Sequence, residues 1–287
     1  MKQTSDYRIM LIPNMDKRGV PALLPHLFAQ LSECGYTVIT ETDFSDYGEE
    51  FGYEVGTLEE KLPSCDLLMV VGGDGTIIEY ADIAAHCGKP ILGINAGRLG
   101  FLSGMEQDSL PLLKNLINGG YVTEHRRFLE VIHEKSDGSE SRYRVLNDIV
   151  VSHGALSTIV DLDIYCDGGK VNAYRADGVI VSSPTGSTAY ALSAGGPIIH
   201  PEIACFSVTP ICAHSLANRS ILFPRESEVT IKMGASNRST MFITCDGSAS
   251  APFDRGDVLR VRLSDVGIDL MNLTGTGFYE RINEKFH

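Results

Sequence analysis

Leu67-Leu68-Met69-Val70-Val71-Gly72-Gly73-Asp74-Gly75-Thr76 is the stretch of this 287-residue chain on which the fold turns. The apolar run Leu67 to Val71 reads as a buried strand and Thr76 to Cys87 as a helix, so the glycines lie where a strand gives way to a helix. In an open α/β sheet, ligands bind beyond the carboxyl ends of the strands. A helix N-terminus there offers unpaired N–H groups and the positive end of a dipole, which suits phosphate. Gly72, Gly73, Gly75 and Thr76 are therefore candidate phosphate ligands, because glycine lets the backbone approach phosphate oxygens closely. A carboxylate inside an anion-binding turn is unfavourable unless it accepts a proton or acts through Mg²⁺. Asp74 is thus the leading catalytic candidate, with simple N-capping of the helix as its structural alternative. The loop has neither the Lys-Ser/Thr ending of a P-loop nor G-x-G-x-x-G spacing, so it is neither of those phosphate cradles.

Outward from this loop, the first half of the chain alternates short apolar runs with helix-period segments, the pattern of a parallel sheet flanked by helices. Strands are expected over Arg8 to Pro13, Tyr36 to Thr40 and Pro90 to Asn95. Leu23, Leu24, Leu27, Phe28 and Leu31 mark one face of a helix over Val20 to Cys34, stopped by Gly35. Glu41 to Glu60 carries eight acidic residues and three glycines without a clear period, and reads as a solvated connection or a mobile flap.

From about Tyr121 the pattern changes to closely spaced β-type runs. Strands are expected over Arg127 to Lys135, Tyr143 to Ser152, Thr158 to Cys166, Gly178 to Ser182, Phe206 to Ile211, Val229 to Lys232, Met241 to Cys245 and Val258 to Leu263. Hairpin turns are expected at Ser136-Asp137-Gly138 and at Asp167-Gly168-Gly169. Asn147-Asp148 falls inside one of these runs, where a polar pair is costly to bury without partners, so it either lines a ligand site or closes a turn. After the strand Gly178 to Ser182, Pro184 forces a break. Ser187 or Thr188 can then cap a short helix, with Tyr190 offering an aromatic face to a base and Asp177 a carboxylate to an amide or ribose hydroxyl. The expected organisation is an α/β nucleotide domain over 1–122, completed by 267–287, and a β-rich domain over 123–266.

Composition narrows the function. A net charge of −13 supplies no broad basic field for nucleic acid or anionic membrane, and no apolar run approaches the roughly 20 residues that span a bilayer. The opening residues lack the regions of a signal peptide. Seven cysteines without a Cys-x-x-Cys pair read as reduced thiols, and eight histidines show no zinc-ligand spacing. The expectation is a cytoplasmic protein with no protein-held transition metal. Arg126 and Arg127 could meet nucleotide phosphates, or serve as surface ion-pair partners. Arg175, beside Asp177, could touch ligand or form an internal salt bridge.

Gly72-Gly73-Asp74-Gly75-Thr76 resembles the signature shared by NAD kinases, diacylglycerol-type lipid kinases and, more distantly, phosphofructokinases. Three later segments are similar to those of NAD kinases in particular. These are Asn95-Ala96-Gly97-Arg98-Leu99-Gly100-Phe101-Leu102, then Arg175 to Gly178 with Ser183 to Tyr190 and Ser193 to Pro197, and Pro210 to Leu216 with Arg219 and Pro224. The resemblance implies an α/β domain joined to a β-rich domain with the site in the cleft between them. It also implies transfer of the ATP γ-phosphoryl group to the 2′-hydroxyl of the adenosine ribose of NAD, with Mg²⁺ entering on ATP, in a homodimer or homotetramer. On this resemblance Asp74 is the base, and Phe101, Asn147, Asp148, Arg175, Asp177, Thr188, Ala189, Tyr190, Ser193 and Asp246 are nucleotide-binding residues. Asn147-Asp148 stands where the family has Asn-Glu, and Asp246-Gly247 resembles a family position near the ribose. A lipid kinase with an apolar entry for an acyl chain, and a silent dinucleotide-binding sensor, are the alternatives.

Overall fold

The computed structural model describes residues 6–44, 52–97, 100–153, 159–214, 219–235, 237 and 240–286. The chain divides into two compact units, Met1–His125 with Ile268–His287, and Arg126–Gly267.

The first unit is built on parallel strands. They are β1 (Arg8–Pro13), β2 (Thr37–Thr40), β3 (Tyr53–Val55), β4 (Leu67–Gly72), β5 (Ile91–Asn95) and β6 (Met105–Glu106). β1 lies between β2 and β4, β3 continues outward from β2, and β5 pairs with both β4 and β6. β4 and β5 are buried along their whole length, which is why they read as unbroken apolar runs and not as alternations. Helix α1 (Val20–Glu33) buries Leu23, Leu24, Leu27, Phe28 and Leu31, the expected face, and Gly35 beyond its end adopts φ 72°. A helical turn, α2 (Leu58–Lys61), precedes β4, and α3 (Asp74–His86) follows it.

Two features of the first unit depart from expectation. α3 begins at Asp74 and not at Thr76, which makes Gly73 the N-cap and puts Asp74 in the first helical position. The segment Glu41 to Glu60 is only partly a connection. Tyr53–Val55 adds a strand in register with Val38 to Thr40, and Leu58–Lys61 is helical. The anchor is aromatic. Phe44 is 1 % exposed and packs on Phe28, while the Tyr53 hydroxyl donates to Asp43 Oδ1 at 2.7 Å and accepts from the Phe44 N–H at 2.8 Å. A three-residue strand shows no period, so one buried ring decides what the acidic composition conceals. Residues 45–51 of that segment lie outside the described residues.

The second unit is a pair of antiparallel sheets around one core that includes Leu129, Ile149, Tyr174, Val181, Phe206, Ile231, Ile243 and Val261. Its strands are β7 (Val122–Glu134, whose first residues belong to the first unit), β8 (Glu140–Val145), β9 (Asp148–His153), β10 (Val160–Cys166), β11 (Gly169–Ala176), β12 (Gly178–Ser182), β13 (Cys205–Ile211), β14 (Ile221–Pro224), β15 (Glu228–Met233), β16 (Met241–Cys245), β17 (Ala249–Phe253) and β18 (Val258–Asn272). One sheet runs β14-β13-β12-β9-β16-β17. In the other, β10 lies between β11 and β15, β15 pairs with β18, and β7 pairs with β8 and β18.

The single run expected over Tyr143 to Ser152 is two strands, broken at Leu146 and Asn147. β11 is announced only by the hairpin turn before it, and β14 and β17 not at all, because Gly169–Ala176 and Ala249–Phe253 alternate weakly and Ile221–Pro224 has four residues. The turn at Asp167-Gly168 has φ 49° and 84°, a hairpin geometry with both central residues left-handed. Short helical segments follow β12, a 3₁₀ turn at Thr185–Thr188 and α4 (Tyr190–Ser193), and neither has a side-chain cap. Ser187 does not cap. Its hydroxyl accepts from the Ile199 N–H at 3.0 Å and lies 2.6 Å from the Pro184 carbonyl, while Thr188 donates to the Thr185 carbonyl at 3.1 Å.

β18 carries the chain back into the first unit, where Leu270 pairs with Ile91, and α5 (Phe278–Phe286) ends it. Among the described residues no helix is long and apolar enough to cross a membrane.

Candidate active site

β1 and β4 run parallel and adjacent, so the segments that leave their carboxyl ends meet at the same end of the sheet. There Lys17, Arg18, Gly72, Gly73, Asp74, Asn95, Ala96, Gly97, Gly100 and Lys285 line a cavity of about 280 Å³. The Asn14 amide donates to Thr76 Oγ1 at 3.0 Å and ties the end of β1 to the first turn of α3. A Cβ on Gly72 would sit 2.6 Å from that same hydroxyl, so the tight strand-to-helix turn needs glycine there.

Asp74 is not an N-cap. Its Oδ2 accepts the Phe101 N–H at 2.8 Å and its Oδ1 the Leu102 N–H at 3.2 Å, which staples the start of α3 to the segment after β5. Each oxygen keeps a lone pair for a further donor. A Cβ on Gly100 would overlap Asp74 Oδ1, so Gly100 leaves the carboxylate the space it occupies. Gly75 is exposed and Thr76 buried, and neither lines the cavity. Arg98 and Leu99 lie outside the described residues.

The second unit holds its own cavity of about 430 Å³, lined by Asn147, Asp148, Val150, Ser152, Ala189, Tyr190, Thr244, Asp246 and Gly247. Asp246 organises it from a left-handed turn at φ 47°. Its carboxylate accepts the N–H groups of Leu146 and Asn147, each at 2.8 Å, and of Asp148 at 3.1 Å. Its own N–H donates to the Asp148 carbonyl at 3.0 Å. The break between β8 and β9 is therefore the peptide wrapped around Asp246. Burial pushes the Asp246 carboxyl up, and the three N–H donors oppose that push. Asp148 is 5 % exposed, and its carboxyl is driven up to about 7 by burial and then by the neighbouring Asp246 charge, opposed by a hydrogen bond from the Tyr190 N–H. Three backbone N–H donors thus face the Asp246 carboxylate, against the one from Tyr190 at Asp148. The Tyr190 ring lines the cavity while 46 % exposed.

Of the residues singled out in the sequence, the structure gathers Gly72, Gly73 and Asp74 around one cavity and Asn147, Asp148, Ala189, Tyr190 and Asp246 around the other. Phe101 touches Asp74 through its N–H. Arg175, Asp177, Thr188 and Ser193 stand outside both linings. Arg175 is exposed on β11, and Asp177 is half-buried between β11 and β12, with its backbone bonded to Ile211 and His153. Arg126 is 2 % exposed, so it is no surface ion-pair partner. Sequence reasoning missed Lys17, Arg18 and Lys285. The first two follow a strand beside β4 and were within reach of the strand-end rule, whereas nothing local marks Lys285. It also missed Val150, Ser152 and Thr244, which enter the second cavity through strand pairing.

The ATP-NAD kinase N-terminal domain model matches residues 9–121 and the ATP-NAD kinase C-terminal domain model residues 146–273. The chain is 39 % identical over 232 residues to an NAD kinase of Geobacter metallireducens, covering 80 % of this chain and 82 % of that one. It is 35 % identical over 261 residues to the NAD kinase of Geobacter sulfurreducens, covering 90 % of each. Among solved structures it is similar to yeast NADH kinase complexed with NADH, with a TM-score of 0.83 and 27 % identity over 97 % of this chain and 86 % of the yeast chain. With both domain models in order and more than a third of the residues shared across nine-tenths of a relative, the chain belongs to the NAD kinase family.

Proposed function

We propose that this chain transfers the γ-phosphoryl group of ATP to the 2′-hydroxyl of the adenosine ribose of NAD, giving NADP and ADP. The observation that carries this reading is the lone carboxylate of Asp74 in a glycine-lined cavity otherwise ringed by cations, Lys17, Arg18 and Lys285. Phosphoryl transfer is mostly positioning and neutralisation of charge. Backbone N–H groups at the start of α3, with Lys17 and Arg18, receive the donor phosphates. Asp74 accepts the proton of the 2′-hydroxyl as that oxygen bonds to the γ-phosphorus and the bridging oxygen leaves with ADP.

The cavity fits a Mg²⁺ ion carried in on ATP, since such an ion keeps its phosphates and waters and asks the protein for only one or two oxygens. Asn95 lines the cavity and would offer one such oxygen from its side-chain amide, which leaves the Asp74 carboxylate to the hydroxyl proton. When bound, the ion neutralises charge on the phosphates. Asn147, Asp148, Ala189, Tyr190 and Asp246 form the dinucleotide cavity, with the Tyr190 ring against a base and the buried acceptors toward ribose hydroxyls or an amide. Phe101 orients Asp74. Arg175, Asp177, Thr188 and Ser193 are assigned to the same dinucleotide on family resemblance. That resemblance, with the exposed apolar Ile198, Ile203 and Leu222, supports a homodimer or homotetramer. The free thiols and acidic composition support a cytoplasmic setting.

The test is purified protein with Mg²⁺, ATP and NAD, and NADP read by an NADP-specific dehydrogenase. Failure to form NADP while ATP and NAD both bind would overturn the activity.

A further inference from the structure

The last helix reads Phe278-Tyr279-Glu280-Arg281-Ile282-Asn283-Glu284-Lys285-Phe286, with Arg281 and Lys285 four residues apart and so on one face. Arg281 is 2 % exposed, an expensive place for a guanidinium unless its donors are used. Nη1 donates to the Phe101 carbonyl at 2.8 Å and Nη2 to Glu124 Oε1 at 3.0 Å. One residue therefore joins two functions of the first unit, because the Phe101 carbonyl receives Arg281 while its N–H serves Asp74.

The Phe101 ring also lies under Lys285, whose Nζ is 4.7 Å from the ring centroid, and 6.4 Å from the ring of Phe286. Lys285 has no carboxylate partner among the described residues, yet it lines the same cavity as Gly72, Gly73 and Asp74. An ammonium oriented by an aromatic face and not by an anion keeps its three donors for a ligand.

We propose that Lys285, brought by the C-terminal helix and held over the ring of Phe101, binds the phosphates of the nucleotide donor. Lys285 is then a binding residue, and Phe101 a positioning residue that acts through it. This rests on the reading of the cavity as the donor site. Its test is ATP affinity, which is measured without turnover.

Calorimetric titration of the full chain with ATP and Mg²⁺ should give Lys285→Met an affinity about tenfold weaker than the unaltered chain, the value of one charge-assisted contact to phosphate. NAD affinity should be unchanged, and Lys285→Arg should recover most of the loss. Phe101→Leu, which keeps both backbone bonds, should lose about threefold from removal of the cation–π contact. It should lose nothing further when combined with Lys285→Met, a non-additivity that a merely structural role for the ring would not produce. ATP affinity of Lys285→Met within about twofold of the unaltered chain overturns the proposal, that being too small for a charged contact. Additive losses overturn the positioning role of Phe101 alone. If the unaltered chain binds ATP but forms no NADP, the activity proposed above falls, while these affinities still decide the role of Lys285.

Discussion

Asp74 and Phe101, 27 positions apart, are joined by a 2.8 Å hydrogen bond from the Phe101 N–H to the Asp74 carboxylate, and the Leu102 N–H reaches the other oxygen at 3.2 Å. The bonds fix where that carboxylate points. They also give it structural work, so a loss of activity on its removal has two sources that must be separated.

Asp74→Asn separates them. The amide keeps one acceptor but turns an N–H₂ toward a backbone N–H, at a cost of about 1 to 3 kcal/mol. The folded protein should therefore melt a few degrees lower. Removal of the proposed base should lower NADP formation far more, by about 10² to 10⁴, with NAD affinity kept. Calorimetric NAD binding and the coupled rate, both read well below the melting temperature, check this. Near-normal turnover would remove Asp74 from the proton-accepting role.

Gly100→Ala tests the placement of the same carboxylate without touching it. The added methyl would overlap Asp74 Oδ1 and come within 2.8 Å of Ser103 Oγ, so the carboxylate or the loop must shift. A displacement near 1 Å in a positioning-dominated reaction costs about 10²-fold. The expected result is a folded protein that binds NAD and turns over about a hundredfold more slowly. An unaltered rate would mean that the position of Asp74 does not limit the reaction.

What the sequence disclosed and what it withheld divide along physical lines. The apolar run of β4 and the glycines after it were legible because full burial and tight turns restrict residue type locally. So was the face of α1, where five apolar positions repeat with the helix. The break at Leu146 and Asn147 was legible only as one of two readings of the polar pair Asn147-Asp148, because its cause is Asp246, about a hundred positions away. Lys285 was invisible for the same reason: the return of 267–287 to the first domain was expected, but no local pattern says which side chain of the last helix reaches the glycine loop. The strand at Tyr53 was hidden by acidic neighbours that govern composition but not packing.

Asp246 should be the costliest single side chain to remove from the second unit. Asp246→Ala strands three backbone N–H groups, about 1 to 3 kcal/mol each, and forces alanine into a left-handed turn. Asp246→Asn tolerates the turn and keeps an acceptor, so it should retain part of the stability. Denaturant unfolding should show Asp246→Ala at least about 3 kcal/mol below the unaltered chain and Asp246→Asn between the two. An alanine variant within about 1 kcal/mol would mean that water replaces the carboxylate.

Asp148 makes the stability of the ligand-free protein depend on pH in an unusual sense. Its carboxyl, ordinary in the unfolded chain at 3.8, is raised to about 7 in the fold by burial and by Asp246. Between those values the folded state binds more protons than the unfolded one, so stability falls as pH rises through that window and the group is fully favourable only below it. Asp148→Asn, which cannot ionise, should lose this slope. The variant should melt several degrees above the unaltered chain at pH 8, and the gap should narrow steadily toward pH 5 and close only below the unfolded-state value, since each kcal/mol is worth about 2 to 4 °C in a chain of this size. Parallel melting curves of the two proteins from pH 5 to 8 read the difference directly. A gap that stays constant with pH would show that Asp148 is already ionised throughout, with a donor other than the Tyr190 N–H holding its charge.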